Sequence, residues 1–342
     1  MKNLLPKSRL AHRMNGVVAA SRRGLTLAVL LIAVCLAPPL AATAAPAALT
    51  NQTLGAYISA GLNTTSDPAI ISQIESITSA GSVASYGASY LQASCNFYVN
   101  LSLSAHPKPC FYGDPKSSNT VVLWGDSFAN EWIPALDVAG KQLHFKLAVF
   151  AFSGCATPFL PANTLVAGPS FDAAHVAACI KFHQTLPAAV HALHPVAVMS
   201  ASGSPSYSPS YDQMWVTAMA STFAQLAPGA TAKIVIGTGP HFDPYEPVQC
   251  ASQHLTSLKS CTFGTQPTTW SLLPATTRDA TLAKTPGINL IPASQWQCVN
   301  QLCPVDVDHH FVYADHDHIT TKYALWIAPL MATALKPLLH LG

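Results

Sequence analysis

The stretch VVLWGDSFANEW, from Val121 to Trp132, decides the fold. It begins with apolar, β-prone residues, continues with the small polar triplet Gly-Asp-Ser, and ends in a segment of helical character. A continuous apolar run is expected of a strand that is buried on both faces. The triplet stands where such a strand ends, so Ser127 either belongs to a simple turn or is presented for chemistry.

The same succession of strand, turn and helix repeats along the rest of the chain. Strands are predicted at Thr120–Asp126, Phe145–Phe152, Pro195–Ser202, Ala232–Pro240 and Ile288–Ala293. Helices are predicted near 129–140, 172–192, 212–227, 272–284 and 320–338. This alternation favours a mainly parallel sheet with helices on both faces, a three-layer α/β/α sandwich. Ligands of such sheets bind beyond the carboxyl ends of the strands, where Ser127 and Gly154 fall.

The N-terminal segment 1–44 is typical of an export signal. A basic start precedes the apolar segment Gly24–Ala37, and Ala-Thr-Ala at 42–44 offers a cleavage site. The apolar segment is short for a membrane span, so a cleaved signal is favoured, and an uncleaved N-terminal membrane anchor is the alternative. We therefore expect an exported protein that is periplasmic, displayed on the cell surface or secreted.

Two further segments are predicted in a chain of 342 residues, half of them hydrophobic. Residues 45–110 form an N-terminal helical or linker segment for which we predict no chemistry, and residues 111–342 form the main domain. The formal net charge is +2, and charged residues make up only 9% of the chain. No cluster of Lys and Arg follows the N-terminus, so a nucleic-acid partner is not expected.

The cysteines indicate disulfides. Eight remain when Cys35 is set aside, and they fall into sequential pairs. An even set in an exported chain implies a disulfide framework. The rival interpretation is a zinc site, but there is no C-x-x-C pair or matching His spacing, so no metal is predicted. The predicted pairs are Cys95–Cys110, Cys155–Cys179, Cys250–Cys261 and Cys298–Cys303.

Two other patterns admit a functional interpretation. The run Asp306–His310 contains metal-ligand residue types, but a solvated hairpin turn is the favoured interpretation. Trp215 is a candidate platform for stacking on a sugar ring.

A serine hydroxyl becomes a nucleophile only with a base in reach and a carboxylate that orients the base. The segment YADHDHITTKYA, Tyr313 to Ala324, offers Asp315 and His318. In a turn that enters a helix, this spacing places both side chains on one side. The adjacent pair Asp317 and His318 would point apart on a helix, which makes it a poorer choice.

Taken together, these features resemble the SGNH (GDSL-type) hydrolase superfamily. More narrowly, they resemble the SGNH domain at the C-terminal end of bacterial membrane acyltransferases of the acyltransferase-3 type. The resemblance covers Cys110 to the end of the chain. It rests on CFYGD and TVVLWGDSFANEWIPAL, on FSGCATP, on CVNQLC and on VYADHDHIT.

The resemblance implies a role for each matching residue. Ser127 would be the nucleophile, His318 the general base and Asp315 its orienting carboxylate, and Asp126 would hold the loop of Ser127. The backbone N–H groups of Ser127 and Gly154 would form an oxyanion hole. The third donor of the family, an asparagine, is missing near Ser204. Either the Ser204 hydroxyl or a backbone N–H replaces it, or the hole has one donor fewer.

The resemblance implies acyl transfer through an acyl-serine intermediate, with no cofactor. Water as the acceptor would make the protein an esterase of envelope polysaccharide or peptidoglycan, and a sugar hydroxyl would make it an O-acyltransferase. No multi-span segment is predicted, so acyl groups would come from a separate membrane acyltransferase partner or an existing ester, or would only be removed. The alternatives are a non-catalytic module that binds a glycan or a partner, and a lipase with loop 156–171 as its lid.

Overall fold

In the computed structural model, the apolar part of the stretch Val121–Trp132 forms an inner strand of a six-stranded sheet, and the remainder begins a helix. The structure describes residues 48–155, 157–160, 172–203, 209–228, 231–242, 245–264 and 272–341. The strands in this part of the chain are β1 (Cys110–Gly113), β2 (Thr120–Gly125), β3 (Lys146–Ala151), β4 (Ala197–Ala201), β5 (Ala232–Ile236), β6 (Phe263–Gly264), β7 (Ile288–Ile291), β8 (Leu302–Cys303), β9 (Asp306–Val307) and β10 (His310–Phe311). The main sheet has the order β1-β3-β2-β4-β5-β7.

Five of the six strands run parallel, and β1 pairs antiparallel with β3 at the edge. The predicted parallel strands are all present, each within its expected range. Strand β1 was not predicted. It has only four residues and lies at the edge of the sheet with Phe111 exposed, so it lacks the long apolar run that marks a strand buried on both faces.

Helices cover both faces of the sheet. Their bounds are α1 (Asn51–Gly61), α2 (Pro68–Ala80), α3 (Ser82–Ser85), α4 (Ser127–Leu143), α5 (Ala173–His191), α6 (Pro209–Leu226), α7 (Pro247–Gln253), α8 (Leu272–Leu282), α9 (Thr321–Trp326) and α10 (Ala328–Leu339). The predicted helix 320–338 is divided at Ile327, where α9 ends and α10 begins with a proline in its first turn. Among the helices described, none is both long enough and apolar enough to cross a bilayer.

Alternate residues of β2 belong to two separate cores. Val121 and Leu123 pack in the cluster that includes Leu136 of α4. Val122 and Trp124 pack in the cluster that includes Phe182 of α5. Successive side chains of a strand point to opposite faces, so burial on both sides explains why every residue of β2 is buried. The result is the predicted three-layer α/β/α sandwich.

The segment before β1 packs with the rest of this unit, which comprises Ala47–Gly342. Helix α1 contacts β9, and α2 contacts α7 and β10. Strands β9 and β10 pair antiparallel, so the metal-like run Asp306–His310 forms the predicted hairpin. The hairpin is not solvated throughout, because Asp306 and Val307 are buried against the core. The side chain of His309 at its tip bonds Asp67 at 2.8 Å.

All four predicted cysteine pairs lie at disulfide distance. Their Cα atoms are 5.5 Å apart for Cys95–Cys110, 5.4 Å for Cys155–Cys179, 5.8 Å for Cys250–Cys261 and 4.2 Å for Cys298–Cys303. Disulfides of this kind persist in oxidising compartments, which agrees with the expectation of export.

Candidate functional site

Three parallel strands end level with one another at the carboxyl edge of the sheet. Gly125 of β2 is in register with Ala151 of β3 and with Ala201 of β4. A Cβ on Gly125 would lie 2.0 Å from the carbonyl oxygen of Ala201, so only glycine permits this approach. The segments that follow these strands therefore start side by side.

Asp126 fixes the turn after β2. Its side chain caps α4 by accepting a 2.9 Å hydrogen bond from the N–H of Phe128. It also accepts bonds from the hydroxyl of Ser202 at 3.0 Å and from the N–H of Gly203 at 3.2 Å. Burial raises the pKa of Asp126, and these hydrogen bonds oppose that rise. Asp126 thus ties the loop of Ser127 to the end of β4.

Ser127 is the first residue of α4 and is half-buried. The next residue, Phe128, packs closely against the end of β4. A Cβ on Gly203 would lie 1.6 Å from the ring of Phe128, so this contact requires glycine. The geometry on both sides of Ser127 is therefore fixed by tight packing.

The C-terminal motif forms a compact turn rather than the start of a helix. Tyr313 and Ile319 form an antiparallel bridge, and the N–H of Ala314 donates to the carbonyl of His318 at 2.8 Å. Oδ1 of Asp315 accepts bonds from the backbone N–H groups of Asp317 and His318, at 3.0 Å and 2.8 Å. Asp315 therefore shapes the turn that carries His318.

Asp315 also holds the imidazole. Both of its carboxylate oxygens lie 3.0 Å from Nδ1 of His318. The structure thus brings these two predicted residues into direct contact.

Asp317 is a second carboxylate on the same nitrogen. Its Oδ1 lies 2.9 Å from Nδ1 of His318, which corrects the expectation that these neighbours point apart. That expectation assumed a helix, whereas α9 begins only at Thr321. Burial alone would raise the pKa of Asp317, but the charge of His318 and bonds from His241 and His318 hold it well below its ordinary value.

The contacts with Asp315 and Asp317 raise the pKa of His318, whereas the contact with His318 lowers that of Asp317. Burial alone would lower the pKa of His318, but the charges and hydrogen bonds of Asp317 and Asp315 raise it well above its ordinary value. Nε2, on the far side of the ring, is buried and makes no hydrogen bond to any residue that the structure describes. An unsatisfied buried polar atom costs about 1–3 kcal/mol, so the fold sustains an imidazole with one nitrogen left for another partner.

Two aromatic rings enclose His318. Tyr86 stacks on it with centroids 4.2 Å apart and planes 5° from parallel. Phe128, the neighbour of Ser127, lies with its ring centroid 5.0 Å away. The segment before residue 110, for which no chemistry was predicted, thus contributes a packing contact to the candidate site. No local sequence pattern marks Tyr86, because its partner is remote in the chain.

Glu131 of α4 binds the backbone of the turn that carries His318. It lies one helical turn after Ser127, and its Oε2 accepts a 2.9 Å bond from the N–H of Ile319. Burial raises the pKa of Glu131 to about 8, although the nearby His318 opposes the rise. A charged residue within the apolar stretch of α4 was the signal in the sequence that could have found it.

Gly154 follows β3 at the same edge of the sheet and is exposed. Its φ of +75° is a left-handed conformation that favours glycine. Its neighbours are anchored on both sides. The Ser153 hydroxyl accepts a 2.9 Å bond from Asn130, and Cys155 is joined to Cys179.

Three other predicted features are Ser204, loop 156–171 and Trp215. Ser204 lies outside the described residues, as does most of loop 156–171. Trp215 is only 1% exposed, with the guanidinium of Arg278 4.3 Å from its ring centroid, so it does not present a face to a sugar. The candidate platform is therefore a core residue.

A parallel sheet of this order, with Asp-Ser at the end of its central strand and an Asp-x-x-His turn near the C-terminus, defines a fold of the hydrolase and acyltransferase type. The family model described as the SGNH domain fused to AT3 domains matches residues 94–333, and the chain belongs to this family. No curated protein matches the chain. Fusion to AT3 domains links the family to membrane acyltransferases.

Proposed function

We propose that this protein is an exported enzyme that adds or removes O-acetyl or other acyl groups on a glycan of the cell envelope. Ser127 is the nucleophile, His318 the general base, and Asp315 the carboxylate that orients it. The observation that carries the proposal is the state of His318. Its Nδ1 is held by carboxylates while its buried Nε2, close to the helix that begins with Ser127, has no partner among the described residues.

The reaction follows from these roles. Ser127 Oγ attacks the acyl carbonyl as its proton passes to Nε2 of His318. The carboxylates of Asp315 and Asp317 stabilise the imidazolium that forms, and each lies within 3.0 Å of Nδ1. The tetrahedral oxyanion accepts hydrogen bonds from the backbone N–H groups of Ser127 and Gly154.

Collapse of this intermediate breaks the ester bond, and the leaving alcohol takes the proton from His318. Water or a sugar hydroxyl then attacks the acyl-serine, with His318 again as the base. In the free protein Nε2 makes no hydrogen bond, and such catalytic bonds commonly tighten only when substrate binds.

The acceptor distinguishes an esterase from a transferase. Family membership supports a membrane acyltransferase as the source of acyl groups, and an ester already present on the glycan is the other source. The substrate that we propose is envelope polysaccharide or peptidoglycan.

The test uses the full-length chain with its disulfides formed. Acetate release is followed from p-nitrophenyl acetate and from acetylated envelope glycan, and intact mass is recorded for an acetyl adduct. We expect turnover that Ser127→Ala and His318→Ala abolish. The control is His144→Ala, which removes an exposed histidine paired with Asp114 at 3.1 Å.

The outcomes separate the candidates. Turnover on the glycan identifies an esterase, and an acetyl-serine that clears only when a sugar acceptor is added identifies a transferase. A folded protein that gives neither signal contradicts the proposal and leaves a glycan- or partner-binding module. That alternative is favoured by one observation, the absence of the family's third-block asparagine from the sequence around Ser204.

A further inference from the structure

A second cluster of side chains lies behind the catalytic turn. It consists of His241, His316 and Asp317, whose ligand atoms all lie within 4.8 Å of one another. Nδ1 of His241 is 3.4 Å from Oδ2 of Asp317, and Nε2 of His316 is 3.7 Å from the same oxygen. This oxygen is not the one that faces His318, because that contact is made by Oδ1.

The two distances from the histidine nitrogens to Asp317 are close to those between the ligands of a tetrahedral metal centre. Zinc binds histidine nitrogen at about 2.0–2.1 Å and carboxylate oxygen at about 2.0–2.2 Å, so tetrahedral ligand atoms lie roughly 3.4 Å apart. Both measured distances are within a few tenths of an ångström of this value. Two imidazoles and one carboxylate with an open fourth position form a recurrent zinc donor set.

Glu246 supplies the support that such a site needs. Its Oε1 lies 3.0 Å from Nδ1 of His316, the nitrogen on the side away from Asp317. A carboxylate on the outer nitrogen fixes the tautomer and directs the other nitrogen to the metal. His316 therefore presents Nε2 in the form that a metal requires.

The loops that carry the cluster are joined to each other. The N–H of Phe242 donates a 2.7 Å bond to the carbonyl of His316, so His241 and His316 are held side by side. Glu246 directly precedes α7, and the Cys250–Cys261 disulfide fastens that helix. His316 and Glu246 also line an open cavity of about 440 Å³, so this side of the cluster faces solvent-accessible space.

We propose that His241, His316 and Asp317 bind a divalent transition-metal ion of the Zn²⁺ type, with Glu246 as the supporting carboxylate and water as the fourth ligand. The site shares Asp317 with the catalytic turn but uses neither Ser127 nor His318.

The experiment measures Zn²⁺ binding, so its result does not depend on the proposed acyl-transfer activity. The full-length chain is used with the substitution Cys35→Ser, because the other eight cysteines are paired and Cys35 is the one thiol remaining. After treatment with a chelator, Zn²⁺ is titrated by calorimetry. Co²⁺ is then added to record the visible spectrum of a tetrahedral site.

We expect one Zn²⁺ per chain and a tetrahedral Co²⁺ spectrum. His316→Ala and His241→Ala abolish both, and Glu246→Gln weakens binding by about 10- to 100-fold while the ligands remain. His144→Ala leaves binding unchanged. Thermal melts in chelator establish that each variant is folded. The proposal is overturned if the parent chain binds no Zn²⁺, or if the histidine variants bind it as the parent does. Either result would leave an ion-pair network only.

Discussion

Tyr86 and His318 stack face to face, with ring centroids 4.2 Å apart. The tyrosine comes from the segment before β1, and the histidine comes from the turn before α9. The segment that the sequence presented as a linker therefore forms one wall of the candidate active site. It limits the orientations that the imidazole can adopt.

Replacing Tyr86 tests this role. Tyr86→Leu fills much of the space but removes the aromatic face, and a stacked ring pair contributes about 0.5–1.5 kcal/mol. We expect kcat/KM on p-nitrophenyl acetate to fall roughly two- to tenfold, because about 1.4 kcal/mol corresponds to a factor of ten. Tyr86→Phe keeps the ring and retains the activity. Tyr57→Leu, which alters the contact of the exposed Tyr57 ring with Trp326, is the control. Equal activity of Tyr86→Leu and Tyr86→Phe would contradict a role of the aromatic ring in holding His318.

Because two carboxylates contact Nδ1 of His318, we expect substitutions of Asp315 and Asp317 to have non-additive effects on the acylation rate. Removing the orienting carboxylate of a serine triad lowers kcat by about 10⁴. Here each single variant, Asp315→Asn or Asp317→Asn, keeps one carboxylate within 3.0 Å of Nδ1, so each loss should be smaller. The double variant should show the full loss. Single-turnover acylation rates of the four proteins measure the coupling, and strictly additive effects would show that the carboxylates act independently.

The raised pKa of Glu131 leads us to expect that the stability of the protein depends on pH. The pKa of Glu131 is about 8 in the folded protein against an ordinary 4.5, mainly because of burial. Between these values the folded state binds more protons than the unfolded state, so this group's contribution to the free energy of unfolding decreases as pH rises. The decrease is at most about 1.4 kcal/mol per pH unit.

Glu131→Gln removes this ionisation while keeping an acceptor for the N–H of Ile319. We expect urea denaturation to show the wild type losing stability from pH 5 to pH 8 more steeply than the variant. Parallel pH profiles of the two proteins would contradict a raised pKa of Glu131.

The Cys155–Cys179 disulfide predicts an effect on activity as well as stability. It closes 24 residues and holds the residue after Gly154. The double substitution to alanine should lower the free energy of unfolding by about 3 kcal/mol and reduce acylation of Ser127 under conditions where the protein is still folded. The matched control removes Cys298–Cys303, which closes only 5 residues. Similar losses of acylation in both variants would indicate a general effect of unfolding.

Much of the sheet was predictable because buried parallel strands leave a local signal. An apolar run such as Val121–Trp124 is required wherever both faces of a strand are covered. Strand β1 leaves no such signal, since it is an antiparallel edge strand with an exposed side. The division between α9 and α10 was not predicted because both helices share one continuous apolar pattern.

The candidate site was predictable where its contacts are local. Asp315 and His318 are close in sequence, and the turn between them brings their side chains together. Asp317 was misjudged because helical geometry was assumed for that turn. Tyr86 and His241 meet this turn only through the tertiary fold, and a pattern read along one chain does not encode such distant pairings.

The distance in sequence between Tyr86 and His318 also bears on when the site comes into being. Ser127 leaves the ribosome long before His318, and stacking of Tyr86 requires both ends of the folded unit to have met. Contacts of such long range form late, because closing a large loop is entropically costly. If Ser127 and His318 act together as proposed, the site is complete only once the C-terminal turn has packed against Tyr86 and α4.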